Sequence, residues 1–200
     1  MMSSLYLQGL KQGDTQMTAA GIATAGLFFF ISRAKTLPKL SPEKPPHSVF
    51  APSVITSIIG QFIVHFGSLI AVLQLCAAYS DPHLHSTRPI PDSRFRPSLI
   101  NSAVYLLASM IQVNNFVVNY RGHPFTESIW DNSPLRWSLL FVYGIIAVLV
   151  SGAFEPLGDF LQLVVFPSMD FQYYLGLILV VDLAAAFVVE KMCQKMDLHS

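Results

Sequence analysis

Five long apolar segments, residues 15–32, 53–79, 98–120, 135–154 and 171–189, constrain this chain more than anything else in it. Each is about the length of helix that crosses the hydrocarbon core of a bilayer. Arg136 and Asp182 are the only formal charges inside them. A soluble domain carries about a quarter charged residues; this chain carries 12%, with 52% hydrophobic residues and a mean hydropathy of +0.50. The expectation is an all-α, polytopic transmembrane bundle of five spanning helices with no soluble domain. Its first partner is then the lipid bilayer. The formal net charge is +0, which gives no electrostatic reason to expect a nucleic-acid partner. No secretory signal peptide is evident, because residues 1–14 hold only short apolar runs and no basic start.

The third segment is the most informative. Asn101, Tyr105, Ala108, Gln112, Asn115 and Asn119 follow each other at steps of four and three, which places them on one helical stripe. Leu106, Leu107, Met110, Val113 and Val117 occupy the other face. An amide stripe in a membrane helix belongs against protein or a water-lined cavity, not lipid. In the second segment Ser53, Ser57, Gln61, His65 and Ser68 repeat the pattern, and packing the two stripes together is the expected arrangement. His65 is either a proton relay or a neutral histidine hydrogen-bonded between helices. Asp182, mid-way along the last segment, is either an ion or proton site or a carboxyl bonded to a neighbouring amide or hydroxyl, since a bare membrane carboxylate costs ~3 kcal/mol.

The first segment is rich in small residues, with Ala19/Ala23 and Gly21/Ala25 spaced for close helix approach. Its polar groups are Thr15, Gln16, Thr18 and Thr24, none of them a carboxylate, so it builds no site for a hard cation. Gly13-Asp14 before it reads as an N-terminal cap. Residues 34–52 hold five prolines (Pro38, Pro42, Pro45, Pro46 and Pro52) and read as an extended connector. His83 and His85 offer two metal ligands without companions, so a solvated loop is expected there. Cys76 and Cys193 lack metal spacing and read as buried or juxtamembrane residues. The fourth segment reads as a peripheral, lipid-facing span, entered through Asn132-Ser133-Pro134, with Phe125, Ile129 and Trp130 along the headgroup layer. No phosphate loop, nucleophile elbow or paired-cysteine motif occurs.

Arginine and lysine sort by side. Arg33, Lys35, Lys39, Lys44, Arg121, Arg136, Lys191 and Lys195 gather on one side, against Lys11, Arg88, Arg94 and Arg96 on the other. The positive-inside rule then puts the C-terminus in the cytosol.

Several ordered runs are more specific than apolar length. They are residues 5–16, residues 30–35, Gln61-Phe62 with His65, residues 97–102, and Asn119-Tyr120-Arg121-Gly122-His123-Pro124-Phe125-Thr126-Glu127-Ser128. Together they resemble the C-terminal membrane region of the type V-A P-type ATPases of the endoplasmic reticulum, from the end of the fifth membrane helix through the tenth. The resemblance implies an endoplasmic-reticulum membrane protein with a luminal segment at 1–14, a cytosolic linker at 33–52 and a luminal loop at 80–97. A cytosolic loop at 121–134, a luminal loop at 155–170, a last span at 171–190 and a cytosolic tail at 191–200 complete the arrangement. The family cycles through an aspartyl-phosphate and extracts misinserted transmembrane helices; an older description makes it a transporter of cations such as manganese. Its Asp-Lys-Thr-Gly motif, nucleotide domain, actuator domain and first four helices have no counterpart here, so no catalytic or metal residue carries over. ATP and magnesium are implied only for a complete family member. The family's groove is lined partly by its sixth helix, which makes Gln16, Thr18, Ala20 and Thr24 the candidate substrate-groove residues. Gln61, His65, Asn101, Gln112, Asn115, Asn119 and Asp182 are the candidate packing residues, and the amide stripe, in the register of the family's eighth helix, reads as glue. The leading expectation is the membrane-support portion of such an ATP-driven transporter, part of a longer protein whose N-terminal helices and cytosolic domains are its partners. The alternatives are a self-sufficient channel or proton-coupled carrier using His65 and Asp182, and a non-catalytic membrane scaffold.

Overall fold

The computed structural model describes residues 12–38, 50–80 and 95–197. The proline run from Pro42 to Pro46, the histidines His83 and His85, and the cations Lys11, Lys39, Lys44, Arg88 and Arg94 lie outside the described residues. Within them the protein is all-helical: α1 (Asp14–Ser32), α2 (Pro52–Tyr79), α3 (Leu99–Asn119), α4 (Ser133–Ser151), α5 (Glu155–Phe160) and α6 (Met169–Asp197). One isolated antiparallel bridge, Thr36 with Thr126, is the only extended pairing among the described residues.

The ends of the helices follow local chemistry. Asp14 lies inside the first turn of α1 and Gly13 is the residue before it; Gln16 Oε1 accepts the Gly13 N–H at 3.3 Å. The cap expected from Asp14 is therefore supplied by Gln16, and Asp14 instead sets its charge against the positive end of the helix dipole. Ser98 Oγ accepts the Asn101 N–H at 3.1 Å to open α3, and Asn132 Oδ1 accepts the Leu135 N–H at 3.1 Å to open α4. Gly152, at φ +65°, ends α4 in the left-handed conformation glycine adopts without strain.

Two elements differ from expectation. Residues 155–160 form a short helix where a loop was expected, opened by Pro156 in its first turn, where the missing N–H has no helical acceptor to lose. The last helix continues to Asp197, through residues read as a tail. Lys191, Gln194 and Lys195 end the apolar run, but they are good helix formers and do not end the helix.

Three helices, α1, α2 and α4, are long and apolar enough to cross a membrane by length and composition. In α3 the amides at Asn101, Gln112, Asn114, Asn115 and Asn119 dilute the apolar side chains.

Contacts at the ends give the directions. Gln16 meets Asn101, and Thr24 meets Gln112, so α1 and α3 run parallel. Ser57 meets Glu190 and His65 meets Asp182, so α2 and α6 run antiparallel. Phe30 lies by Asn132, at the start of α4. Helices α1, α3 and α6 thus point one way, and α2 and α4 the other. Helix α3 touches each of the other four long helices and is buried continuously from Asn101 to Leu107. The most extensive packing is between α2 and α6. It is close because a Cβ on Gly60 would sit 2.6 Å from Val189 Cγ1. The outer faces of α2, α4 and α6 are apolar, with Ile58, Phe62, Phe66, Phe141, Leu177 and Val180 all exposed. That is the inverse of a soluble surface, where apolar patches of this extent mark an interface.

Candidate functional site

The polar side chains of the long helices gather into four clusters. The first fixes α1. Gln16 is wholly buried and donates from Nε2 to Asn101 Oδ1 at 3.0 Å and to the Leu161 carbonyl at 3.1 Å. Its oxygen serves Gly13, so both ends of the amide are used. Beside it Ser102 Oγ accepts the Val164 N–H at 2.9 Å.

The second cluster lies farther along the same two helices. Gln112 Nε2 donates to Thr24 Oγ1, which itself donates to the Ala20 carbonyl at 2.7 Å.

The third cluster crosses the bundle. His65 Nδ1 stands 2.9 Å and 3.1 Å from the two oxygens of Asp182, whose side chain is fully buried. Asn114 Nδ2 donates to Asp182 Oδ2 at 3.1 Å, and Tyr143 donates to Asn114 Oδ1 at 3.0 Å. Four helices, α2, α6, α3 and α4, are joined in one chain of hydrogen bonds. Each polar group thus meets a partner on another helix, which lets the buried carboxyl remain in an apolar medium. The links pass sideways from helix to helix, as a brace does, and not along the helix axes.

The fourth cluster closes the other end. Glu190 accepts from Ser57, from Gln61 at 3.3 Å and from Gln194 at 2.9 Å, with Arg121 at 3.9 Å. Gln61 and Asn119 exchange both amide hydrogen bonds, at 3.0 and 3.1 Å. Just beyond the helices, Glu127 N–H donates to the Lys35 carbonyl at 3.0 Å, tying the segment after α1 to the loop after α3. In that loop Asp131 accepts from the Ser128 hydroxyl and N–H, which hold its carboxyl below the usual range, with a smaller contribution from His123.

The single stripe expected on α3 is thus divided. Asn101 and Gln112 serve α1, Asn119 serves α2, and Asn115 is exposed, offering only its carbonyl, to Asn119. The residues missing from that stripe are Asn114 and, on other helices, Tyr143 and Glu190. Asn114 lies off the four-and-three spacing, on the face otherwise made of Val113 and Leu107; a lone amide there, in a chain with a mid-helix aspartate, was the available signal.

Two cavities flank α1. One, of about 330 Å³, is lined by Met17, Ala20, Gly21, Tyr105, Ala108 and Gln112 among others. The larger, of about 710 Å³, opens between α1, α3 and α4, past Thr18, Ala20, Thr24, Phe141, Ile145 and Phe160. Ala20 lines both, and Thr18 and Thr24 line the larger one. Gln16 lines neither, because its amide is consumed in packing. Among the described residues no three His, Cys, Asp or Glu side chains converge to hold a metal.

No family model matches the chain. Curated proteins do. It is 40% identical over 168 residues to a probable manganese-transporting ATPase of Arabidopsis thaliana, covering 84% of this chain and 14% of that protein. It is 38% identical over 197 residues to the endoplasmic reticulum transmembrane helix translocase of Schizosaccharomyces pombe, 97% of this chain and 16% of the relative. The translocase of the same name in Saccharomyces cerevisiae is 32% identical over 196 residues, 94% of this chain and 15% of its own length. The chain therefore spans only about a sixth of the relatives it matches. The match runs over most of this chain, which is homologous to a C-terminal portion of the type V P-type ATPases.

Proposed function

We propose that this chain is the membrane-support portion of an ATP-driven endoplasmic-reticulum transporter of the type V class, and that transmembrane helices are what the whole protein moves. In this reading α1, α2, α3, α4 and α6 all span the bilayer, and the C-terminus is cytosolic. The partners are membrane helices and cytosolic catalytic domains that bind ATP and magnesium. The observation that carries it is the 32–40% identity to translocases and a transporting ATPase over 84–98% of the chain.

The geometry divides the labour within the bundle. Helices α2, α3 and α6 are tied to one another through Gln61, His65, Asn114, Asn119, Asp182 and Glu190 and make a braced wall. Helix α1 is different: hydrogen bonds hold it at Gln16, Thr24 and Phe30, small residues line it, and cavities open on both sides. It is the helix beside which an apolar substrate segment fits. Cation transport, which the name of the Arabidopsis relative describes, finds less to use, because α1 offers no carboxylate inside the bundle. The test is a graft of residues 12–197 into the matching region of the fission-yeast translocase. The chimera should restore removal of misinserted transmembrane helices in cells lacking the native protein. A chimera made at normal level in the endoplasmic reticulum that restores nothing would refute the reading.

A further inference from the structure

The segment between α4 and α6 is fixed from behind and apolar in front. Its inner side is pinned where the Leu161 carbonyl accepts from Gln16 and the Val164 N–H donates to Ser102, and Leu161 and Phe166 are buried. On the outer side Phe154 is 56% exposed, Phe160 67%, Val165 82% and Met169 79%. Four large apolar side chains held outward on a fixed backbone are a surface that needs a cover.

Charge and position identify the cover. Glu155, Asp159 and Asp170 are exposed in this segment, and residues 152–173 contain no lysine, arginine or histidine. An anionic lipid surface attracts basic clusters and repels this one. The patch is also continuous with the outer faces of its two flanking helices, through exposed Val148 on α4 and exposed Tyr173 and Tyr174 on α6. Tyrosines at such a place mark the headgroup level.

We propose that residues 152–170 form a platform anchored in the headgroup layer of uncharged lipids, with Phe154, Phe160, Val165 and Met169 inserted and the carboxylates facing water. Phe160 also walls the larger cavity, and Leu161 holds Gln16 at the end of α1. The platform thereby fixes the mouth of the α1 cavity at one membrane depth. This rests on the proposed spanning of α4 and α6, and the experiment separates the two. The full chain, with Trp130 and Trp137 changed to phenylalanine, receives one tryptophan by Phe160→Trp, Val165→Trp or, as control, Phe141→Trp. It is placed in phosphatidylcholine vesicles with brominated acyl chains. Tryptophan fluorescence at positions 160 and 165 should be quenched to within about twofold of position 141, as for groups at the acyl boundary, and adding phosphatidylserine should not deepen it. Position 141 unquenched would refute the spanning of α4. With 141 quenched, access of aqueous iodide to 160 and 165 overturns the platform. Shielding from both quenchers overturns it too, because protein then covers the patch.

Discussion

His65 and Asp182 show how one buried carboxyl sets the requirements for its neighbours. The carboxyl of Asp182 has no exposure, and His65 and Asn114 occupy its oxygens. A hydrogen bond between membrane helices averages ~0.6 kcal/mol, whereas removing one partner of a buried ion pair costs ~3–5 kcal/mol. His65→Ala should therefore destabilise the bundle several-fold more, in kcal/mol, than Gln112→Ala, as read by reversible unfolding in mixed micelles. Adding Asp182→Asn to His65→Ala should recover part of the loss, since the orphaned charge is then gone. Equal effects of His65→Ala and Gln112→Ala would show that the pair carries no charge worth neutralising. Both residues stood out in the sequence as groups needing partners. That they partner each other did not, because 117 positions separate them and two independent helices must bring them to one depth.

At the scale of the helix, the α2–α6 seam decides the packing. His65 with Asp182 and Ser57 with Glu190 are each spaced eight residues apart on their own helices, about two turns, so one antiparallel face carries both links. Gly60 lies between them, against Val189. Gly60→Ala should cost ~1–3 kcal/mol by overpacking, and Val189→Ala in the same chain should relieve most of it. If the double variant were no more stable than Gly60→Ala alone, the close approach would not be what Gly60 provides. Helix existence was legible from apolar length, and the start of α4 from Asn132-Ser133-Pro134; the Ser98 cap of α3 was not. The short α5 and the extension of α6 were not. Membrane thickness sets how long an apolar run must be, but backbone hydrogen bonding sets how far a helix continues.

For the whole molecule, alternating helix direction gathers Arg33, Lys35, Arg121, Arg136, Lys191 and Lys195 at one end and Glu155, Asp159 and Asp170 at the other. In the orientation proposed above, the basic end faces the cytosol. Both native cysteines are buried, which suits labelling with a membrane-impermeant maleimide. In sealed microsomes Asp131→Cys should react directly and Asp159→Cys only after permeabilisation. The reverse pattern would invert the topology, and reaction at both without permeabilisation would refute spanning.

Length, composition and the order of short motifs were enough to give the long helices, apolar runs of membrane-spanning length and a family resemblance, and to propose a direction for the charges. Those are properties of the chain read in one dimension. Only the tertiary structure decided that the α3 amides serve several neighbours, that Asn114 and not Asn115 meets Asp182, and that Gln16 is spent on packing while Thr18 and Thr24 face a cavity. Periodicity says which residues share a helical face. It does not say which way that face turns, because this is settled by the close contacts of all the helices at once.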